Sequence, residues 1–125
     1  MLKKNILSKK IIDLIVESNI VKLNEEIIID RTILSKINKD GQNALIISMI
    51  YEKYDVSIFL INNFKIDMDI RDKLGWSALH YAVAKRNVLL INKLIERNAD
   101  IEVKDNYGNT PLWRATFESK GFGEI

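Results

Sequence analysis

The chain has no cysteine, one proline, one histidine and five glycines in 125 residues. Without cysteine it can form neither a disulfide nor a thiolate metal site, and thiol redox chemistry is closed to it. His80 alone cannot build a histidine-rich metal site, and no serine or carboxylate stands beside it in a catalytic motif. An excess of one charge is also missing: 19 basic residues against 17 acidic leave a net +2, too small to point to nucleic acid or a membrane surface. The pairs Lys3-Lys4 and Lys9-Lys10 read as a solvated amino terminus. The apolar segment Ile11 to Val16 is interrupted by Asp13 and is too short for a signal-peptide core or a membrane span. These absences suit a cytoplasmic protein. The hydrophobic share of 47% and charged share of 29% fit one ordinary globular domain.

What the chain does have is a phrase used three times. It reads Asn43-Ala44-Leu45-Ile46-Ile47-Ser48, then Ser77-Ala78-Leu79-His80-Tyr81-Ala82, then Thr110-Pro111-Leu112-Trp113-Arg114-Ala115. Each copy follows a glycine (Gly41, Gly75, Gly108), so the spacings are 34 and 33 residues. A period in that range is the mark of stacked helical repeats.

The middle copy is the clearest. Asp72-Lys73-Leu74-Gly75 reads as a tight turn, with Asp bonding nearby backbone and Gly accepting positive φ. Ser77 can cap a helix carrying Leu79, Ala82 and Val83 at helical spacing, which predicts a helix to about Arg86. After a break at Asn87, Leu90, Ile91, Leu94 and Ile95 mark a second helix, which Asn98 can leave in the left-handed conformation. The third copy repeats this at Asp105-Asn106-Tyr107-Gly108, with Thr110 as cap and Pro111 in the first turn, where its missing N–H costs nothing. In the first copy, Lys39-Asp40-Gly41 leads to the cap Asn43, a helix from Leu45 to Tyr51, and a second helix holding Val56, Phe59, Leu60 and Ile61. Leu60 and Leu94 are 34 apart but Asp67 and Asp100 are 33 apart, so one residue is inserted between Asn63 and Ile66.

These residues resemble the ankyrin repeat, a β-turn and two antiparallel helices with the phrase Thr-Pro-Leu-His-x-Ala heading the first helix. Residues 77–100 follow the pattern without a gap, and the likeness runs over roughly 38–125. The resemblance implies an all-α solenoid of about three and a half helix–turn–helix repeats with short β-turn or hairpin connections. Its expected divisions are an amino-terminal capping helix pair (1–37), repeat 1 (38–71), repeat 2 (72–104) and a partial repeat 3 (105–125). The capping pair is read from Ser8 to Ser18 and Ile20 to Arg31, with Leu14 and Ile15 on one helix and Leu23 and Ile27 on the other. The last repeat would lack its second helix, leaving Leu112, Ala115 and Phe117 short of neighbours. His80 is expected to bond the turns between repeats, a role that Ile46 and Trp113 cannot share.

No constellation in the chain carries catalysis. Asp67, Asp69, Asp72, Asp100, Glu102 and Asp105 fall between helices, where turns and solvated loops use carboxylates, and no cleft is expected to tune a pair of them. The run Asp67 to Asp72 lacks the central glycine and distal glutamate of a calcium loop. Gly121-Phe122-Gly123 lacks the strand–turn–helix setting of a phosphate cradle. The reading is therefore a non-enzyme with no cofactor, no metal and no nucleic-acid or membrane partner.

A surface remains. In the ankyrin arrangement, turn tips and the exposed face of each first helix line a shared concave groove. Carried over residue by residue, this implies a partner-binding set of Lys39, Asp40, Gln42, Tyr51, Lys73, Leu74, Trp76, Lys85, Asn106, Tyr107 and Asn109, with Glu118 beside them. Trp76 and Tyr107 are either binding anchors, as large exposed aromatics often are, or residues packed on the adjacent turn. The expected function is non-catalytic binding of another protein. The wording Thr110 to Ala115, with Gly121, Gly123 and Glu124, is similar to small bacterial ankyrin proteins, some of which are thought to neutralise a toxin; this implies an immunity protein with a toxin as partner. A scaffold, or an ankyrin fragment of a longer host-interacting protein, is the alternative.

Overall fold

The computed structural model describes residues 5–113 and 115. Among them are six α-helices: α1 (Lys9–Val16), α2 (Ile20–Ile29), α3 (Ala44–Ile50), α4 (Tyr54–Asn63), α5 (Ala78–Ala84) and α6 (Val88–Glu96). Helix resumes at residues 111–113. The all-α repeat architecture expected from the sequence is what the chain adopts. The first helices α1, α3 and α5 pack side by side, α2 pairs with α1, α4 with α3, and α6 covers both α5 and α4.

Helix starts are set by the same device in every unit. Ser8 Oγ accepts from Ile11 N–H, Asn43 Oδ1 from Ile46 N–H, and Thr110 Oγ1 from Trp113 N–H, each answering one of the orphan donors of a helix start. At Ser77 the cap is reciprocal, a capping box in which its side chain accepts from His80 N–H while its own N–H donates to His80 Nδ1 at 3.1 Å. Ser8 stands 35 residues before Asn43, so the cap register extends through α1 although the repeat phrase does not. Each pair of helices is joined by one residue in the left-handed region: Ser18 (φ 55), Glu52 (φ 59) and Arg86 (φ 57). The first helix of the second repeat therefore stops at Ala84, not at Arg86, and Asn87 is no mere break: its side chain caps α6 through Leu90 N–H at 3.0 Å. Asn98 does take the left-handed conformation (φ 65).

One core runs the length of the stack. Ile15, Leu23, Ile27, Leu45, Ile46, Leu60, Leu90 and Leu94 are fully buried. In α3 every residue from Ala44 to Met49 is buried, Ser48 included, whose hydroxyl is shared with Ser57 of α4 at 2.6 Å. Two features escaped the sequence reading. A 3₁₀ turn at Arg31–Ser35 follows α2, and Ile6 pairs with Ile37 in a single parallel bridge. At the other end Leu112 is 73% exposed; Phe117, expected to share its surroundings, lies outside the described residues.

Candidate partner-binding face

Three turns built on one plan form the edge of this face. In each, a leading side chain accepts two backbone N–H groups, two and four residues on. Asn38 Oδ1 takes those of Asp40 and Gln42 at 2.9 and 3.0 Å. Asp72 Oδ1 takes those of Leu74 and Trp76 at 2.9 and 3.0 Å, and Asp105 Oδ1 takes those of Tyr107 and Asn109, both at 2.9 Å. The fourth residue of each turn is glycine at φ 79 to 80, a conformation costly to side chains. Neighbouring turns then bond to each other: Lys73 N–H donates to Asp40 O at 3.0 Å, and Asn106 N–H to Leu74 O at 3.1 Å. The Asn106 side-chain amide adds a bond to Lys73 O. The tips form a ridge whose backbone is fixed before any partner arrives.

Asp72 and Asp105 are buried beneath this ridge, not in solvated loops; the turn N–H groups supply the donors that water would otherwise provide. Asp72 carries more than its own turn. Its Oδ2 accepts from the Tyr81 hydroxyl and, at 3.2 Å, from the Gln42 amide of the preceding turn. Burial, then the bond to the Asp72 carboxylate and its charge, push the Tyr81 phenol far above the ordinary tyrosine range. His80 does the corresponding work for the following turn. Because its Nδ1 accepts from Ser77 N–H, its Nε2 carries the proton and donates to Asn109 O at 3.0 Å.

The eleven residues assigned to the face divide into two groups. Lys39, Asp40, Tyr51, Lys73, Leu74 and Tyr107 are exposed, with Leu74 at 58% and Tyr107 at 81% occupying the same position in adjacent turns. Gln42, Trp76, Lys85, Asn106 and Asn109 are engaged within the molecule. Trp76 is half-buried, its ring stacked on His80 (centroids 5.7 Å apart) and edge-on to Tyr81 (4.8 Å). Lys85 bridges to Glu52 of the preceding repeat at 2.9 Å. Glu118 lies outside the described residues. Sequence reasoning missed Asn38, Arg71 and Tyr81. Asn38 stands 34 residues before Asp72, so the repeat spacing alone could have found it. Arg71 donates to Gly75 O at 3.3 Å and holds the ridge beside Asn106.

Among the described residues no group of three His, Asp or Glu could hold a metal ion, and no helix is long and apolar enough to cross a membrane. An apolar groove of about 780 Å³ lies between α5, α6 and the start of the third repeat, lined by Leu79, Val83, Ile91, Ile95, Ile101 and Leu112 among others.

A family model of ankyrin repeats, in three copies, matches residues 8–105 and 63–122. The chain is 32% identical over 97 residues to a putative ankyrin repeat protein of Rickettsia bellii, covering 78% of the chain and 48% of that protein. It is 33% identical over 79 residues to a putative ankyrin repeat protein of Acanthamoeba polyphaga mimivirus, covering 61% of the chain and 11% of that protein. Alpha-latrocrustotoxin-Lt1a of Latrodectus tredecimguttatus is 28% identical over 82 residues, or 66% of the chain and 6% of the toxin. The chain thus spans less than half the length of each of these relatives.

Proposed function

The chain belongs to the ankyrin-repeat family, and from that premise we propose that it is a protein-binding module whose turn ridge and first helices form one contact face. Ankyrin repeats generally mediate protein–protein interaction, and the family is typically non-catalytic. The observation that carries the reading is the pair Leu74 and Tyr107. Both are large, apolar in body and exposed, and both stand on a backbone already tied by Asp72, Asp105 and the bonds between turns. Side chains held out on a rigid support pay little ordering entropy on binding. Trp76 is the weaker anchor, since its ring is already spent on His80 and Tyr81.

The test is retention of partners from the source cells by the wild-type chain and by a Leu74→Asp/Tyr107→Ala variant. A partner held by the first and lost by the second, at unchanged melting temperature, is the expected result; loss of about 30-fold or more in affinity is the scale of a hot spot. Equal retention by both would remove the ridge from the interface. A toxin as partner is the narrower form of this proposal, and a scaffold linking two proteins is its alternative. Rescue of growth when the chain is co-expressed with a toxic partner supports the former, and simultaneous capture of two proteins supports the latter.

A further inference from the structure

The two ends of the stack differ in what they expose. Met49 and Ile61 are buried where α5 and α6 pack on α3 and α4. Their counterparts 34 residues on, Val83 and Ile95, line the open groove of about 780 Å³ with Ile101 and Leu112, and the last three are exposed. Among the described residues no second helix follows the one that resumes at residue 111 to cover this groove. The amino-terminal end is built otherwise. There Lys22 and Glu26 hold the positions that Val56 and Leu60 fill in α4 and Leu90 and Leu94 in α6, all four of them fully buried. Glu26 is bridged to Lys10 at 2.9 Å, so that end is polar and does not continue the stack. The apolar surface of α2 lies on another side. Val21, Ile28 and Ile29 are 73%, 55% and 81% exposed. Seven residues bring Val21 and Ile28 onto one line of the helix, with Ile29 beside them, turned away from the buried Leu23 and Ile27. Where α2 has Ile28-Ile29, α4 has Asn62-Asn63 and α6 has Glu96-Arg97, so the repeat itself does not call for this strip.

We propose that the outward face of α2 in one copy of the chain seats in the α5–α6 groove of another, a head-to-tail contact that uses no residue of the turn ridge. Three features fit this occupant. One repeat back, the α3–α4 face is covered by helices, α6 lying on α4, so a helix is the shape that such a groove takes. With ten residues against the nine of α6, α2 is as long as the wall it meets, about 15 Å. Charge is matched as well: exposed Lys22 and Glu25 stand beside the apolar strip, and Glu102 and Arg86 line the groove. Val21, Ile28 and Ile29 leave water against Ile95, Ile101 and Leu112, which supplies the driving force. Because two different patches meet, copies add in series unless the rotation closes a ring.

Sedimentation of the full chain over a concentration series tests this. The weight-average mass should rise between about 1 μM and 1 mM, the range of a contact of modest area. Val21→Asp/Ile28→Asp removes the helix face and Ile95→Asp/Ile101→Asp the groove; all four side chains are exposed, so melting temperatures should hold. Each variant alone should self-associate at least about 30-fold more weakly. Mixed in equal amounts, the two should recover a one-to-one dimer of wild-type affinity, because each keeps the half that the other lacks. Ile29→Lys and Ile101→Lys repeat the comparison should a double variant melt early. A wild-type chain that stays monomeric throughout would overturn the proposal. So would a mixture that forms no dimer, or association kept by Val21→Asp/Ile28→Asp alone, which would set groove against groove. The Leu74→Asp/Tyr107→Ala variant should associate as the wild type does; loss there would move the contact to the ridge and overturn the proposal.

Discussion

The first and second repeats share a backbone plan yet hold it with different chemistry. In the second, two buried side chains reach out of the repeat, Asp72 back to Gln42 and His80 forward to Asn109 O, beside the more exposed bonds of Lys85 to Glu52 and Lys93 to Asn62. In the first, the position of Asp72 is filled by the uncharged Asn38 and that of His80 by the fully buried Ile46. Asn38 still ties its own turn, and its amide donates to Gln42 at 2.9 Å, but Ile46 has nothing to offer the next turn. The first repeat is therefore held chiefly by its apolar interior, where α3 is buried from Ala44 to Met49. The second is held by polar links across the turns. It follows that the same kind of substitution should cost more in the second repeat than in the first.

The largest contrast is expected at the leading turn residue. Asp72→Ala strips acceptors from two backbone N–H groups, the Tyr81 hydroxyl and Gln42, and should cost about 3–5 kcal/mol in urea unfolding. Asn38→Ala, which orphans a smaller and more solvated set, should cost about 1–2 kcal/mol; equal losses would break the comparison. The glycines come next. A Cβ on Gly75 would sit 2.5 Å from Asn106 N, whereas one on Gly108 meets nothing within 4 Å. Gly108→Ala should therefore cost about 1–2 kcal/mol, the strain of the left-handed backbone alone, and Gly75→Ala clearly more. His80→Ile, which gives the second repeat the residue of the first, should cost about 1–3 kcal/mol. Faster amide exchange at the Asp105–Asn109 turn is the specific readout; slow exchange there would mean that the histidine link is redundant.

The smallest effect is at high pH. The folded-state pKa of Tyr81 is raised, so the native chain keeps a proton that the unfolded chain releases near the ordinary tyrosine value of about 10. The group's stabilisation is intact below that pH and is lost as pH rises above it, by up to about 1.4 kcal/mol per pH unit. Tyr54, also raised, chiefly by burial and then by the nearby Glu52, adds in the same direction. Tyr81→Phe should start less stable at neutral pH but show a shallower alkaline decline. Parallel declines for the two proteins would place the titration elsewhere.

Local rules made much of this molecule legible. The turns need a short polar acceptor and then a residue free to take positive φ, so Asp72-Lys73-Leu74-Gly75 and Asp105-Asn106-Tyr107-Gly108 announce themselves. The helices followed from caps and apolar spacing. What stayed hidden depended on neighbours brought in from elsewhere. Trp76 looks like an exposed tip until His80 and Tyr81 are folded against it. Asp72 and Asp105 look solvated until their donors are counted. Arg86 reads as the last residue of a helix, yet it takes the left-handed conformation (φ 57) just past the end of α5, because α6 must turn back to cover α5. The 3₁₀ turn at Arg31–Ser35 has no periodic signal at all.

Those reversals have an engineering consequence. Ser18, Glu52 and Arg86 each bear a side chain in a left-handed conformation (φ 55, 59 and 57), where L-residues other than glycine sit about 1–2 kcal/mol uphill. Glycine at such a position trades that strain against a larger entropy in the unfolded chain. The net gain is greatest where the side chain does least. Ser18, whose hydroxyl makes a 3.2 Å bond to exposed Asp55, gives up less than Glu52, which would lose its bridge to Lys85. The molecule thus carries unused stability at the joint between its first two helices, and a designer could draw on it before altering any residue of the turn ridge.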